Sequence, residues 1–176
     1  MEARNGEFFM KEKWINALTL AFTVALLPPI WAVLSPYIGV TVGAVALICA
    51  GLFACLGNDI KKAIPVTAGF LLGDAWAIIA LTIMAHSTLN PNLTLYLTLF
   101  VMGGLAVIFG TIGEKVIFVP AWLAGWAIGL TIMGPMDIAT VGFMPLQIAA
   151  AMVAGVWYVG VIGDLFQKML VKILKK

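Results

Sequence analysis

Asp74 stands in the middle of a long apolar run, between Gly73 and Ala75. A carboxylate at the centre of a bilayer costs several kcal/mol, so its presence there is a reason to look for function. No Lys or Arg lies inside that run or its neighbours to pair with it. Such a group must carry its proton, face a water-filled path, or meet a polar partner, for which Gln147 and Thr67 are the candidates. The functional reading is a site for a solute, a cation or a proton. The structural reading is a neutral acid hydrogen-bonded across helices.

Two further acids occur in similar surroundings. Asp59 and Asp137 are each followed by Ile; Gly57 and Gly134 precede them, and Pro65 and Pro145 follow. An Asp before a helix accepts from exposed N–H groups and suits the positive end of the dipole. A Pro in the first helical turn forfeits no hydrogen bond. Helix starts built this way either cap at a membrane surface or face a polar solute.

The remaining chemistry is sparse. His86 is the only histidine and reads as a polar anchor at a helix end. Cys49 and Cys55 are six apart, about 240° around a helix, so they neither pair within it nor form a metal motif. There is no Ser-His-Asp set, clustered metal ligands, phosphate loop or dinucleotide fingerprint. No enzymatic activity, metal or cofactor is expected. Net charge is +2, with no basic stripe to recruit nucleic acid.

These side chains must be positioned by elements built for lipid. Of 176 residues, 63% are apolar and 10% charged, against roughly a quarter charged in a soluble domain. A spanning helix needs about 20 apolar residues. Six runs qualify: 14–34, 37–57, 63–86, 93–112, 116–134 and 144–167. They are continuously apolar rather than alternating, which favours helices over barrel strands. The expected fold is therefore all-α, a polytopic membrane protein with six transmembrane helices. Residues 1–13 precede the domain at 14–167, and the basic tail at 168–176 follows it. The tail reads as an amphipathic helix on an anionic surface.

All ten basic residues then fall on one side: Arg4, Lys11 and Lys13; Lys61 and Lys62; Lys115; and Lys168, Lys172, Lys175 and Lys176. The positive-inside rule places both termini in the cytoplasm. Asn90-Pro91-Asn92 reads as an outer turn. Small-xxx-small pairs (Gly39 and Gly43, Gly69 and Gly73, Gly125 and Gly129, Ala151 and Gly155) permit close helix contact. Trp122 and Trp126 sit one turn apart beside one of these pairs.

Residues 53–76 and 131–157 share an order of Gly, Asp-Ile, Pro, Gly and Trp. One stretch joins helices two and three, the other helices five and six. A three-helix repeat inserts its second copy upside down, so repeats at about 14–86 and 93–167 predict inverted halves with a site between them.

The stretch Phe53-Ala54-Cys55 with its following glycine and lysines, Trp31, Trp76-Ala77 and Phe118-Val119-Pro120 carry a resemblance. Over residues 15–165 the chain resembles the small bacterial inner-membrane proteins grouped as domain-of-unknown-function family 1097. The resemblance implies a multi-pass protein of the bacterial inner membrane and assigns no activity.

The functional expectation is a homo-oligomeric channel or facilitator for a small neutral or weak-acid solute. Its path would involve Asp74, Thr67, Gln147 and the turns at Gly57, Asp59 and Pro65 and at Gly134, Asp137 and Pro145. The alternatives are a proton- or cation-coupled transporter using Asp74, and a non-transporting anchor. The expected partners are lipid, a small solute and copies of the same chain.

Overall fold

The structure is a computed structural model that describes the backbone of residues 2–175 and the side chains of Met10 and residues 12–175. The side chains of Arg4, Lys11 and Lys176, counted above among the basic groups, lie outside the described residues. Among the described residues there are six α-helices. They are α1 (Glu2–Leu34), α2 (Val45–Ala54), α3 (Ile60–His86), α4 (Pro91–Ile112), α5 (Val119–Met133) and α6 (Met144–Leu174). Four stretches are long and apolar enough to cross a membrane: Glu12–Ile38, Ile60–His86, Pro91–Ile112 and Met144–Leu174.

The second and fifth helices correct the expected spans. α2 has 10 residues and α5 has 15, about 15 and 22 Å at the α-helical rise. Both fall short of the roughly 30 Å hydrocarbon core. Residues 37–44, expected to open the second span, form the end of a 3-10 turn and an irregular bend instead. Gly39, at φ +81°, closes that turn, and it touches nothing that a Cβ would meet. It therefore serves the turn and not helix packing. Pro28 and Pro29 stand inside α1 and remove the helical donors to the carbonyls of Val24 and Ala25.

Helix directions follow from the contacts. Gly69 of α3 faces Phe118, Ala121 and Trp122, Gly73 faces Trp122, Gly125 and Trp126, and Ala77 faces Gly129. The numbers rise together, so α3 and α5 run parallel. On the other side Gly155 of α6 abuts Ala46 and Cys49 of α2, and Gly160 abuts Phe53. That pair is parallel too. α1 and α6 are antiparallel, with Phe22 against Phe166 and Glu12 paired with Lys175. Trp157 of α6 reaches Thr67 of α3, and Asn58, just before α3, shares a cavity with Asp164. The two parallel pairs therefore point in opposite directions. α1 and α4 are the outer helices: their candidate spans are 17% and 22% buried, against 50% for α6.

The end of the bundle that carries both termini also carries the 55–59 turn. It holds the 113–118 turn as well, tied by the Phe118 N–H donating to the Pro65 carbonyl at 3.0 Å. Lys13, Lys61, Lys62, Lys115, Lys168, Lys172 and Lys175 therefore gather at one end, as the six-helix reading requires. The tail is helical, as expected. It continues α6 without a break to Leu174 and packs along α1 through Leu170, Ile173 and Leu174.

Residues Gly155–Ile162 of α6 are π-helical, with i→i+5 hydrogen bonds. In an α-helix Gly155 and Gly160 would lie about 140° apart. The wider π turn stacks them on one face, and both press against α2. No periodicity in the sequence signals this stretch.

A Cβ added to Gly73 would lie 2.5 Å from the Trp126 nitrogen, among backbone atoms that cannot yield. Gly104 of α4 has nothing within 4 Å. Gly73→Ala should lower unfolding stability in micelles by about 1–3 kcal/mol. Gly104→Ala should raise it by about 0.5–1 kcal/mol. Thermal unfolding followed by size-exclusion chromatography checks both signs.

Candidate functional site

Asp74 lies at the middle of α3 and is 4% exposed. Its carboxyl leans toward Gly129 of α5, where an added Cβ would stand 3.4 Å from Oδ1. Oδ1 is sealed from solvent and, among the described residues, has no hydrogen-bond partner. Neither expected partner reaches it. The Thr67 hydroxyl donates to the Ala63 carbonyl at 2.7 Å and accepts from Trp157 Nε1 at 3.0 Å. Gln147 Oε1 accepts from the backbone N–H and hydroxyl of Thr41, at 2.9 and 2.8 Å, at the opposite end of the bundle from the termini. Thr67 donates within its own helix, as a helical Thr does to its i−4 carbonyl, whereas Gln147, one turn into α6, meets the bend before α2.

Two other unpartnered groups flank the same seam. Trp122 and Trp126 of α5 are buried, and among the described residues neither indole N–H has an acceptor. On two parallel helices, side chains one step past the contact line turn to opposite sides of the seam. Asp74 and Phe70 face one side. Trp122 and Trp126 face the other, toward α4. There Trp122 meets Trp76 edge-on at 5.3 Å, Trp76 Nε1 donates to the Met102 carbonyl at 3.2 Å, and Trp126 lies over Gly103. A buried polar atom without a partner costs about 1–3 kcal/mol, and native structures contain few of them. The seam thus offers one acceptor on one side and two donors on the other. The sequence signalled it only through two glycine pairs flanked by an acid and two tryptophans.

The turn residues separate from this seam. Asp59 accepts from the Lys61 N–H and Asp137 from the Ala139 N–H, both at 3.0 Å, with near-identical backbone angles. They cap helical turns at opposite ends of the bundle. The glycines before them do not correspond: Gly57 is left-handed at φ +74°, whereas Gly134 is right-handed at φ −58°. The prolines differ as well. Pro145 sits in the first turn of α6, as expected, but Pro65 lies inside α3, as its sixth residue. Its carbonyl instead receives the Phe118 N–H that anchors α5.

His86 Nδ1 donates to the Thr82 carbonyl at 2.9 Å, and Asn90 caps α4 by accepting from the Asn92 N–H. Cys49 is buried and Cys55 exposed, both as free thiols. Among the described residues no three His, Cys, Asp or Glu side chains converge as metal ligands.

Apolar helices of spanning length, helix contacts made through small residues and, among the described residues, one buried acid define a multi-pass helical membrane protein. The chain belongs to the family of proteins of unknown function designated DUF1097, whose profile matches residues 21–168. No curated protein and no solved structure matches it.

If Asp59 and Asp137 act only as caps, replacing either by Ala should cost about 0.5–2 kcal/mol of stability. Solute passage through reconstituted protein should stay the same per folded molecule. A loss of passage at wild-type stability would instead place that acid on a path.

Proposed function

We propose that this protein is a homo-oligomeric channel or facilitator for a small neutral or weak-acid solute, with the path beside the α3–α5 seam. The observation that carries this reading is the sealed, unpartnered carboxyl oxygen of Asp74 halfway along a spanning helix. A polar guest passing the seam would supply the missing hydrogen bond. The indole N–H groups of Trp122 and Trp126 offer donors on the seam's other side. Embedded charge is low, which favours a solute that crosses in neutral form over a strongly coupled ion pump.

The inverted-repeat reading supports a path between two halves. The parallel pair α3–α5 and the opposed parallel pair α6–α2 correspond as long helix and short helix. α4 flanks α3 as α1 flanks α6. Gly73 meets the backbone of α5 at the Trp122 carbonyl, and Gly155 meets that of α2 at the Ala46 carbonyl. The halves would be related by an axis in the membrane plane, with both termini in the cytoplasm of a bacterial inner membrane.

Proteoliposomes test this by stopped-flow passage of small neutral solutes. Wild type should pass a solute without an imposed proton gradient. Asp74→Asn keeps the hydrogen bonding and should pass it at a similar rate, whereas Asp74→Leu should slow it by about tenfold or more while eluting as a folded oligomer. If Asp74→Asn abolishes gradient-driven uptake, the protein is a coupled transporter. If wild type passes nothing, the anchor reading stands in its place.

A further inference from the structure

Besides Asp74, Trp122 and Trp126, Asn58 holds a buried polar atom that lacks a partner, its Oδ1. Asn58 sits in the turn between α2 and α3 at φ +52°, a left-handed conformation that Asn tolerates better than other side chains. Among the described residues the atom is an acceptor left open at this turn.

Two adjoining cavities meet at this residue. One, about 180 Å³, lies between α1, α2 and α6 and is walled by Leu20, Val24, Leu47 and Val159, with Asn58 and Asp164 at its polar end. Its α6 wall runs from Val159 to Gln167, about 12 Å along the helix axis. The second, about 310 Å³, is lined by Asp59, Ile60 and Lys168 and again by Asn58 and Asp164. Both lie toward the end that carries the termini. Asp164 pairs with Lys168 at 2.5 Å through Oδ2, and among the described residues nothing engages its Oδ1. Lys168 is 70% exposed.

This arrangement selects an amphiphile. Asn58 Oδ1 and Asp164 Oδ1 are acceptors beside a negative charge and call for a cation with several N–H donors. Lys168 stands next to them, open to an anion. The apolar cavity extends from that polar end along the spanning helices. We propose that the pocket between α1, α2 and α6 holds an aminophospholipid of the surrounding leaflet. Its primary ammonium binds Asn58 and Asp164, its phosphate binds Lys168, and part of one acyl chain lies between the helices. A trimethylated headgroup has no N–H to give, and a glycerol headgroup has no positive charge for Asp164. The site is separate from the α3–α5 seam and independent of what passes there.

The test is native mass spectrometry of the full chain released from nanodiscs with equal phosphatidylethanolamine, phosphatidylcholine and phosphatidylglycerol. Wild type should retain phosphatidylethanolamine in preference to the other two by about tenfold, as expected for one charge-assisted hydrogen bond. Asn58→Gly removes the amide while keeping the left-handed turn unstrained, and Asp164→Asn keeps the shape without the charge. Both should lose the preference while remaining folded by chromatography and circular dichroism. Equal retention of the ethanolamine and choline lipids would overturn the assignment, as would an undiminished preference in both variants. Retention of millimolar butylammonium with no preference among the three lipids would overturn it too, giving the pocket to a free amine.

Discussion

In lipid, helices gain little from hiding apolar surface from one another, because the surrounding tails are equally apolar. Association rests on close packing, and close packing requires small residues. Gly69, Gly73 and Ala77 of α3 meet Ala121, Gly125 and Gly129 of α5 along one line. At this seam the backbone of one helix touches the backbone of the other. The arrangement fixes α5, which is too short to be held by its own span. The Phe118 N–H bond to the Pro65 carbonyl sets its starting height.

The same closeness leaves Asp74 and the two indoles without partners. Backbones in contact along the seam leave little room for a side chain to reach across it. α2 is held on α6 by a different device. There the π-helical turn brings Gly155 and Gly160 onto one face, and Cys49 and Phe53 pack against it. The two parallel pairs are therefore built by different means.

Much of this was legible in the chain. The apolar runs located six helices, and the basic residues sorted the ends because charge is excluded from lipid. The shortness of α2 was hidden, because Tyr37 to Ala44 is as apolar as a helix while Gly39 and Gly43 favour a bend. Asp59 and Asp137 left two readings open, a cap or a solute-facing group; the capping geometry was legible because it is local. Pro65 read as a helix opener, yet the helix begins six residues earlier at the Asp59 cap. The partners of Asp74 could not be read, since Trp157 and Thr41, which engage Thr67 and Gln147, are brought there only by the tertiary arrangement. The Asn58 pocket left no sequence signal, because its parts come from α1, α2 and α6.

The most direct measurement is a high-resolution cryo-electron density map of the protein in nanodiscs, read at the α3–α5 seam. A polar passage predicts ordered water or solute density within hydrogen-bonding distance of Asp74 Oδ1, continuing toward both ends of the bundle. A dry seam, with the Asp74 carboxyl bonded to a neighbouring side chain and no density beside it, would contradict that passage.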